Sequence, residues 1–260
     1  MRPLPTPPRD RRQTLVATMQ LLRTADAARL FAQAGFDALV VDAEHAGFSP
    51  AEVSDLCLAA IDAGIFPLVR LPDAAPGPIR QALSFGALGV VVPRVETAAE
   101  ARAIVDNTRF PPHGARPVPP VFPQAGRARV TQADAVAALT AATTVVVIIE
   151  TAAGVAAAAE IAAVPGVDVL FLGFSDLSFG LGTTKEDPQL WQAAERVRDA
   201  ALSAGKVAGI GGITDPLHFD RALEMGFGYL SAANDATLLA EAAAGRAAWL
   251  RARAADGPAR

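Results

Sequence analysis

Asp42, Glu44 and His45 stand within four residues of one another, directly after the apolar run 38–41. Two carboxylates and an imidazole at the end of an apolar strand can hold a cation, accept a proton or activate a water. Two further apolar runs end in acids. The run 145–149 stops at Glu150, and the run 169–172 leads through Gly173, Phe174 and Ser175 to Asp176. Glu150 and Asp176 form the best metal-ligand pair. Hard oxygens from two neighbouring strand ends leave positions for water and substrate, which suits Mg²⁺, Mn²⁺ or a similar ion. The same acids could instead cap the following helices or pair with arginine. Arg70 ends the run 66–69 and offers a planar fork for a carboxylate or an enolate oxygen, or for a salt bridge to Asp42 or Glu44. His45 could act as general base or activate a water, or be a structural, hydrogen-bonded histidine. His113 and His218, in a Pro-rich stretch and a late helical pattern, read as surface residues.

Other chemistries find less support. Of 23 basic residues only Lys185 and Lys206 are lysines, one in a polar loop and one opening a strand. Imine chemistry needs a desolvated lysine beside the reacting carbonyl, so electrophilic help is expected from a metal. Cys57 lies in a helical pattern and reads as a small buried hydrophobe. A lone cysteine fits a reducing, cytoplasmic setting. Gly209, Gly211 and Gly212 follow the seventh apolar run, a place where barrels often cradle phosphate, which keeps a phosphorylated substrate as an alternative. A net charge of −4 argues against a nucleic-acid binder, and no apolar run approaches the length of about 20 residues that crosses a bilayer.

These groups need a frame that brings strand ends together. Strand-like segments are expected over 14–19, 38–42, 66–70, 89–92, 145–150, 169–172, 206–210 and 228–231. Helical patterns are expected over 24–34, 50–63, 76–85, 96–107, 131–140, 153–163, 188–204, 216–225 and 235–252. Gly35, Gly64, Gly86, Gly205 and Gly226 close helices, as helix C-termini prefer. Eight strand–helix units in 260 residues, half of them hydrophobic, predict a single TIM (β/α)8 barrel over residues 13–255. A doubly wound sheet is the runner-up. Residues 1–12, rich in Pro and Arg, are expected to be a disordered tail rather than a secretory leader. The irregular stretch 110–129, with Pro at 111, 112, 117, 119, 120 and 123, reads as a rim loop or an oligomer contact.

Taken together, these segments resemble the HpcH/HpaI aldolase and citrate lyase β-subunit superfamily, metal-dependent class II pyruvate aldolases on a TIM barrel. The resemblance is collinear over roughly residues 14 to 250. Its matching pieces are Asp42-Ala43-Glu44-His45, Pro67-Leu68-Val69-Arg70, Val92-Pro93-Arg94-Val95, Arg109-Phe110-Pro111-Pro112, Glu150-Thr151 and Asp176-Leu177-Ser178. It implies that Glu150 and Asp176 bind a divalent ion, Mg²⁺ first and Mn²⁺ or Co²⁺ as substitutes. That ion chelates the carboxylate and keto oxygens of pyruvate. It also implies that backbone N–H groups around Gly173, Ser175 and Asp176 hold the substrate carboxylate, that Arg70 stabilises the enolate oxygen, and that His45 activates the water that moves the proton. Asp42 and Glu44 would order the ion's water, and Ser84, from a neighbouring subunit, takes the place of the Asp that usually orients the histidine. A homo-oligomer is implied, a hexamer or trimer of dimers, with the last helix packing on a neighbour.

Five positions depart from the family pattern. Ile148 replaces a Gln two residues before Glu150, Ser84 replaces the Asp, Pro117 replaces a Gly after Arg116, and Phe174-Ser175 replaces Pro-Ala before Asp176. The metal pair and the arginine are intact, whereas the proton-transfer apparatus and the acceptor pocket differ. The expected activity is cleavage of 4-hydroxy-2-oxo acids through a pyruvate enolate. The alternatives are citrate-lyase-like, acyl-CoA or oxaloacetate chemistry (lyase, condensing enzyme or decarboxylase) at the same enolate site, and a non-catalytic metabolite-binding barrel.

Overall fold

The computed structural model describes residues 3–10, 12–126 and 130–255 and is a closed parallel barrel. Its strands, each paired with the next, are β1 Thr14–Met19, β2 Ala38–Asp42, β3 Phe66–Arg70, β4 Gly89–Val92, β5 Thr144–Ile149, β6 Val169–Gly173, β7 Val207–Gly211 and β8 Tyr229–Asn234. Closure comes from β8 pairing with β1, Thr14 opposite Tyr229 and Thr18 opposite Asn234, with one register irregularity between Leu15 and Ala17. The helices are α1 Ala25–Gln33, α2 Pro50–Ala63, α3 Pro76–Ser84, α4 Ala98–Thr108, α5 Gln132–Ala142, α6 Ala152–Ala156, α7 Ala158–Ala162, α8 Phe174–Leu181, α9 Pro188–Ser203, α10 Pro216–Glu224 and α11 Asp235–Ala255.

The strands follow from their residues. Every residue of β2 and β5 is buried, because one face lines the barrel and the other meets the helices. The helices start where local chemistry stops the backbone amides from being orphaned. Ser49 with Glu52, and Thr97 with Glu100, form reciprocal capping boxes at α2 and α4, and Pro50 opens α2. Cys57 is fully buried, and burial pushes its thiol up to about 12, as befits a small core hydrophobe. Among the described residues no helix is long and apolar enough to cross a membrane.

Three expectations are corrected. The helix over 153–163 is broken at Ala157 into α6 and α7. A helix not expected at all, α8, follows β6 and takes Asp176 into its first turn. Part of the segment read as a frayed tail is packed. Pro8 is buried, and Arg9 donates to the carbonyls of Thr143 (2.8 Å) and Ala141. Met1, Arg2 and Arg11 of that segment, and residues 127–129 of the Pro-rich stretch, lie outside the described residues.

Asp168 precedes β6 and so faces the end of the barrel away from Asp176. It accepts from the Val145 amide (2.8 Å) and from Arg109 Nη2 (3.1 Å), with Arg9 at 3.6 Å. Arg109 also donates to Thr143 and Gly166 carbonyls, tying α4 to the strand floor. Removing one member of a buried ion pair strands the other. Asp168→Ala should therefore lower the unfolding free energy by about 3 kcal/mol in urea titration. A loss below about 0.5 kcal/mol, the scale of a neutral surface change, would show that this network does not hold the barrel floor.

Candidate active site

At the carboxyl ends of the strands lies a cavity of about 220 Å³. Arg70 from the end of β3, Glu150 after β5, and Gly173, Ser175 and Asp176 at the β6–α8 junction all line it. Five of the residues singled out in the sequence thus meet at one place, although they are up to 106 positions apart (Arg70 to Asp176).

Glu150 is the most perturbed carboxyl at the site. Burial, followed by repulsion from Asp176, pushes it up to about 7; Glu44 adds to the repulsion, and the Arg94 amide and charge oppose it. The Arg94 amide donates to Glu150 Oε1 at 2.9 Å. To aim that amide, Arg94 adopts φ +55°, a conformation that costs a non-glycine residue about 1–3 kcal/mol and tends to mark functional sites. Gly173 leaves the space Glu150 occupies. A Cβ there would meet Glu150 Cβ and Oε2 at 2.8 Å each, so β6 can pass beside Glu150 only as glycine. Gly212, at φ +84°, is required for a similar reason: a Cβ would meet Ser175 Oγ at 2.4 Å.

Asp42 is fully buried and saturated. It accepts from Arg70 Nε (2.9 Å) and Nη2, from Gln20 Nε2 (2.8 Å), and from the amides of Glu44 (3.2 Å) and His45 (3.1 Å). Burial pushes its carboxyl up, but the Arg70 and Gln20 hydrogen bonds and the Arg70 charge outweigh this and hold it below the usual range. It has no surface to offer a metal's water; its role is to aim Arg70 and the turn that carries Glu44 and His45. Arg70 Nε also lies 3.4 Å from Glu44 Oε2. Glu44 itself is raised, by burial first and then by Asp42 and Asp176 against the pull of Arg70 and His45.

His45 does not line the cavity. Its side chain is 61% exposed, and its ring nitrogen Nε2 lies 3.5 Å from Glu44 Oε2. Ser84 is farther removed: it ends α3, and its hydroxyl donates to the Arg80 carbonyl at 2.7 Å. Within one chain, Glu44 is the acid beside His45. His218, expected at the surface, is partly buried, stacked on Trp191 at 5.6 Å and paired with Asp215 at 2.7 Å. The third glycine of the β7 cluster, Gly209, lets the Phe171 and Tyr229 rings pack inside the barrel, so close packing accounts for the cluster.

Sequence reasoning missed the other wall. Thr18 and Gln20 at the end of β1, Thr214 after β7, and Ser231 and Asn234 on β8 line the same cavity. Thr18 Oγ1 and Ser231 Oγ lie 3.3 Å apart. The buried Asp235 holds this wall in place by accepting from the amides of Gln20, Leu21 and Leu22 at 2.6–2.9 Å. Strand-end position was the signal that could have found these residues.

The donor set fits a hard divalent cation. Among the described residues no three His, Cys, Asp or Glu side chains form a ready-made cage. Two carboxylates that repel each other at a half-open cavity nevertheless suit an ion that keeps water and substrate oxygens as its remaining ligands.

Comparison with known proteins finds a family for the chain. The family model for HpcH/HpaI aldolase/citrate lyase matches residues 20–240. A 4-hydroxy-4-methyl-2-oxoglutarate aldolase of Chaetomium globosum is 38% identical over 222 residues, covering 83% of this chain and 82% of the relative. A hydroxypyruvate/pyruvate aldolase of Chromohalobacter salexigens is 35% identical over 226 residues, covering 85% and 87%. The crystal structure of an HpcH/HpaI aldolase from Desulfitobacterium hafniense superposes with a TM-score of 0.85 at 30% identity, covering 92% of this chain and 93% of that one.

The raised Glu150 carries a stability signature. Its folded value of about 7 lies above the ordinary 4.5, so the metal-free fold binds this proton more tightly than the unfolded chain does. The stability this confers is complete below about pH 4.5 and is lost as pH rises to about 7. Glu150→Gln keeps an acceptor for the Arg94 amide but cannot ionise. In EDTA it should melt above the wild type at pH 8, with the gap closing toward pH 5. Equal pH profiles for the two proteins would show that Glu150 is not perturbed.

Proposed function

The chain belongs to the HpcH/HpaI aldolase/citrate lyase family, and from that membership we propose that it is a divalent-metal-dependent aldolase cleaving 4-hydroxy-2-oxo acids to pyruvate and an aldehyde, or joining them in reverse. The observation that carries this reading is the convergence of Glu150, Asp176 and Arg70 in one cavity, with Glu150 pushed up by burial and then by its acidic neighbour. Glu150 and Asp176 would hold the ion, with Mg²⁺ preferred and Mn²⁺ or Co²⁺ accepted. When bound, the ion supplies Lewis-acid stabilisation of negative charge on the keto oxygen.

The remaining work falls to the chain's own residues. The substrate carboxylate meets the free amides at the N-terminus of α8, around Ser175 and Asp176, where the helix dipole favours an anion. Arg70, aimed by Asp42, faces the oxygen that becomes negative. Cleavage takes the proton from the C4 hydroxyl and breaks the C3–C4 bond. The bonding pair passes to C3 and the keto oxygen as an enolate, and the fragment leaves as an aldehyde. Protonation of C3 then gives pyruvate. His45, at the rim with its Nε2 3.5 Å from Glu44 Oε2, moves these protons through water.

The reading extends to a homo-oligomer, a hexamer or trimer of dimers, in a cytoplasmic setting. Leu238, Leu239, Trp249 and Leu250 on α11 leave an apolar face exposed that suits packing against other copies of the chain.

Enolate formation is the step to test. Protein loaded with Mg²⁺ should exchange the methyl protons of pyruvate in D₂O, followed by NMR. EDTA and Glu150→Ala should abolish exchange, and Gly173→Ala, which displaces Glu150, should slow it by about a hundredfold or more. Absence of exchange in the metal-loaded wild type would overturn the proposal.

A further inference from the structure

The cavity has two chemically different halves. Arg70, Glu150 and Asp176 occupy the β3, β5 and β6 side. The β7, β8 and β1 side carries Thr214, Ser231, Asn234 and Thr18, all neutral and all with hydrogen-bonding groups. The floor between them is Ile148 and Phe171. On the enolate reading, the charged half takes the 2-oxo acid end, so the neutral half receives the carbon chain beyond C3.

The hydrogen-bond accounting of that wall leaves donors and acceptors to spare. Asn234 Oδ1 is occupied by the Thr237 amide at 2.8 Å, so its NH₂ group is the part left for a ligand. The Thr18 and Ser231 hydroxyls share one hydrogen between them at 3.3 Å, which frees the other to donate into the cavity. The Thr214 hydroxyl is exposed in the loop after β7. No cation balances this side among the described lining residues. Arg70 is committed through Nε and Nη2 to Asp42, and the Lys185 ammonium sits on the Gly212 carbonyl at 2.7 Å, outside the lining. A second carboxylate would stand in this half with no cationic lining residue to pair it and beside two acids.

We infer that the electrophile is a short, uncharged aldehyde bearing hydroxyl groups, recognised by Thr18, Thr214, Ser231 and Asn234 across the cavity from Glu150 and Asp176. The inference rests on the aldolase reading above. The cavity, about 220 Å³, is smaller than the roughly 300–1,000 Å³ of pockets for drug-sized ligands, which keeps the chain short.

Two five-carbon substrates that differ only at C5 test it: 4,5-dihydroxy-2-oxopentanoate, ending in a hydroxymethyl group, and 4-hydroxy-2-oxoglutarate, ending in a carboxylate. With Mg²⁺, wild-type kcat/KM for the hydroxymethyl substrate should exceed that for the carboxylate by at least about tenfold. Ser231→Ala should bring this ratio down about tenfold. Thr214→Arg, at an exposed loop position that tolerates a long side chain, should shift it at least about tenfold toward the carboxylate by supplying the missing charge. Pyruvate exchange together with a wild-type preference for the carboxylate, or with a ratio that neither variant moves, overturns this inference alone. Absence of both exchange and cleavage overturns the aldolase reading and this inference with it.

Discussion

The burial of Glu150 and Glu44 beside another acid, Asp176, is the constraint around which this rim is built. Burial first, and then the charge of neighbouring acids, raises Glu150 and Glu44 at the ends of β5 and β2, with Asp176 after β6 acting on both. A fold selected only for stability would separate them or place arginine between them. Here Arg70 is drawn chiefly to Asp42, with its Nε 3.4 Å from Glu44, and among the described residues Glu150 accepts the Arg94 amide, from a backbone held at positive φ. The protein thus compensates the charge only in part, through Arg70 and Arg94, and leaves room for a ligand to do the rest. That arrangement is possible because each acid is anchored to a strand of a closed barrel, where moving one means moving its neighbours.

The two ends of the barrel answer different demands with the same residue types. At the floor, Asp168 is matched with Arg109 and Arg9, and its remaining acceptor capacity goes to a β5 amide, so the network is closed on itself. At the rim, Asp42 is equally saturated, but its partners are members of the candidate site: Arg70, and the turn carrying Glu44 and His45. Asp42 is therefore the joint between stability and function. Losing its charge would free Arg70 to swing toward Glu44, which already lies 3.4 Å away, and would neutralise the acid cluster that a cation needs.

Much of this was legible in the residues, and the rest was hidden for identifiable reasons. Strand positions were readable because runs such as 38–41 and 145–149 are apolar on both faces, the mark of parallel strands packed from both sides. Helix α8 was not. It spans eight residues with Gly180 inside it, and it exists because Phe174 and Leu177 are buried against α9 and the barrel, a tertiary reason that local propensity does not carry. Asp42 could be seen as an acid near the site, but its saturation depends on Gln20 and Arg70, which register brings beside it. The neutral wall was the least visible. Thr, Ser and Asn at strand ends look like any solvated loop until closure of β8 on β1 sets Ser231 beside Thr18.

That closure also makes the departures at Ile148 and Ser84 intelligible. Ile148 belongs to the floor where the two halves meet, so an apolar residue there removes a polar contact without touching Glu150, Asp176 or Arg70. Ser84 lies on the outside of α3 and contributes nothing to the cavity of its own chain. On the proposed reading, the groups that would stabilise an enolate are fixed by β2, β3, β5 and β6, whereas those that would face its partner are supplied by β1, β7 and β8. Because the halves share only a floor, the electrophile side can change residue by residue while the acids, the arginine and the glycine that makes room for Glu150 stay as they are. On the proposed reading, the place where the strands put their ends separates the two reaction steps, and it makes the neutral wall the place to read substrate choice.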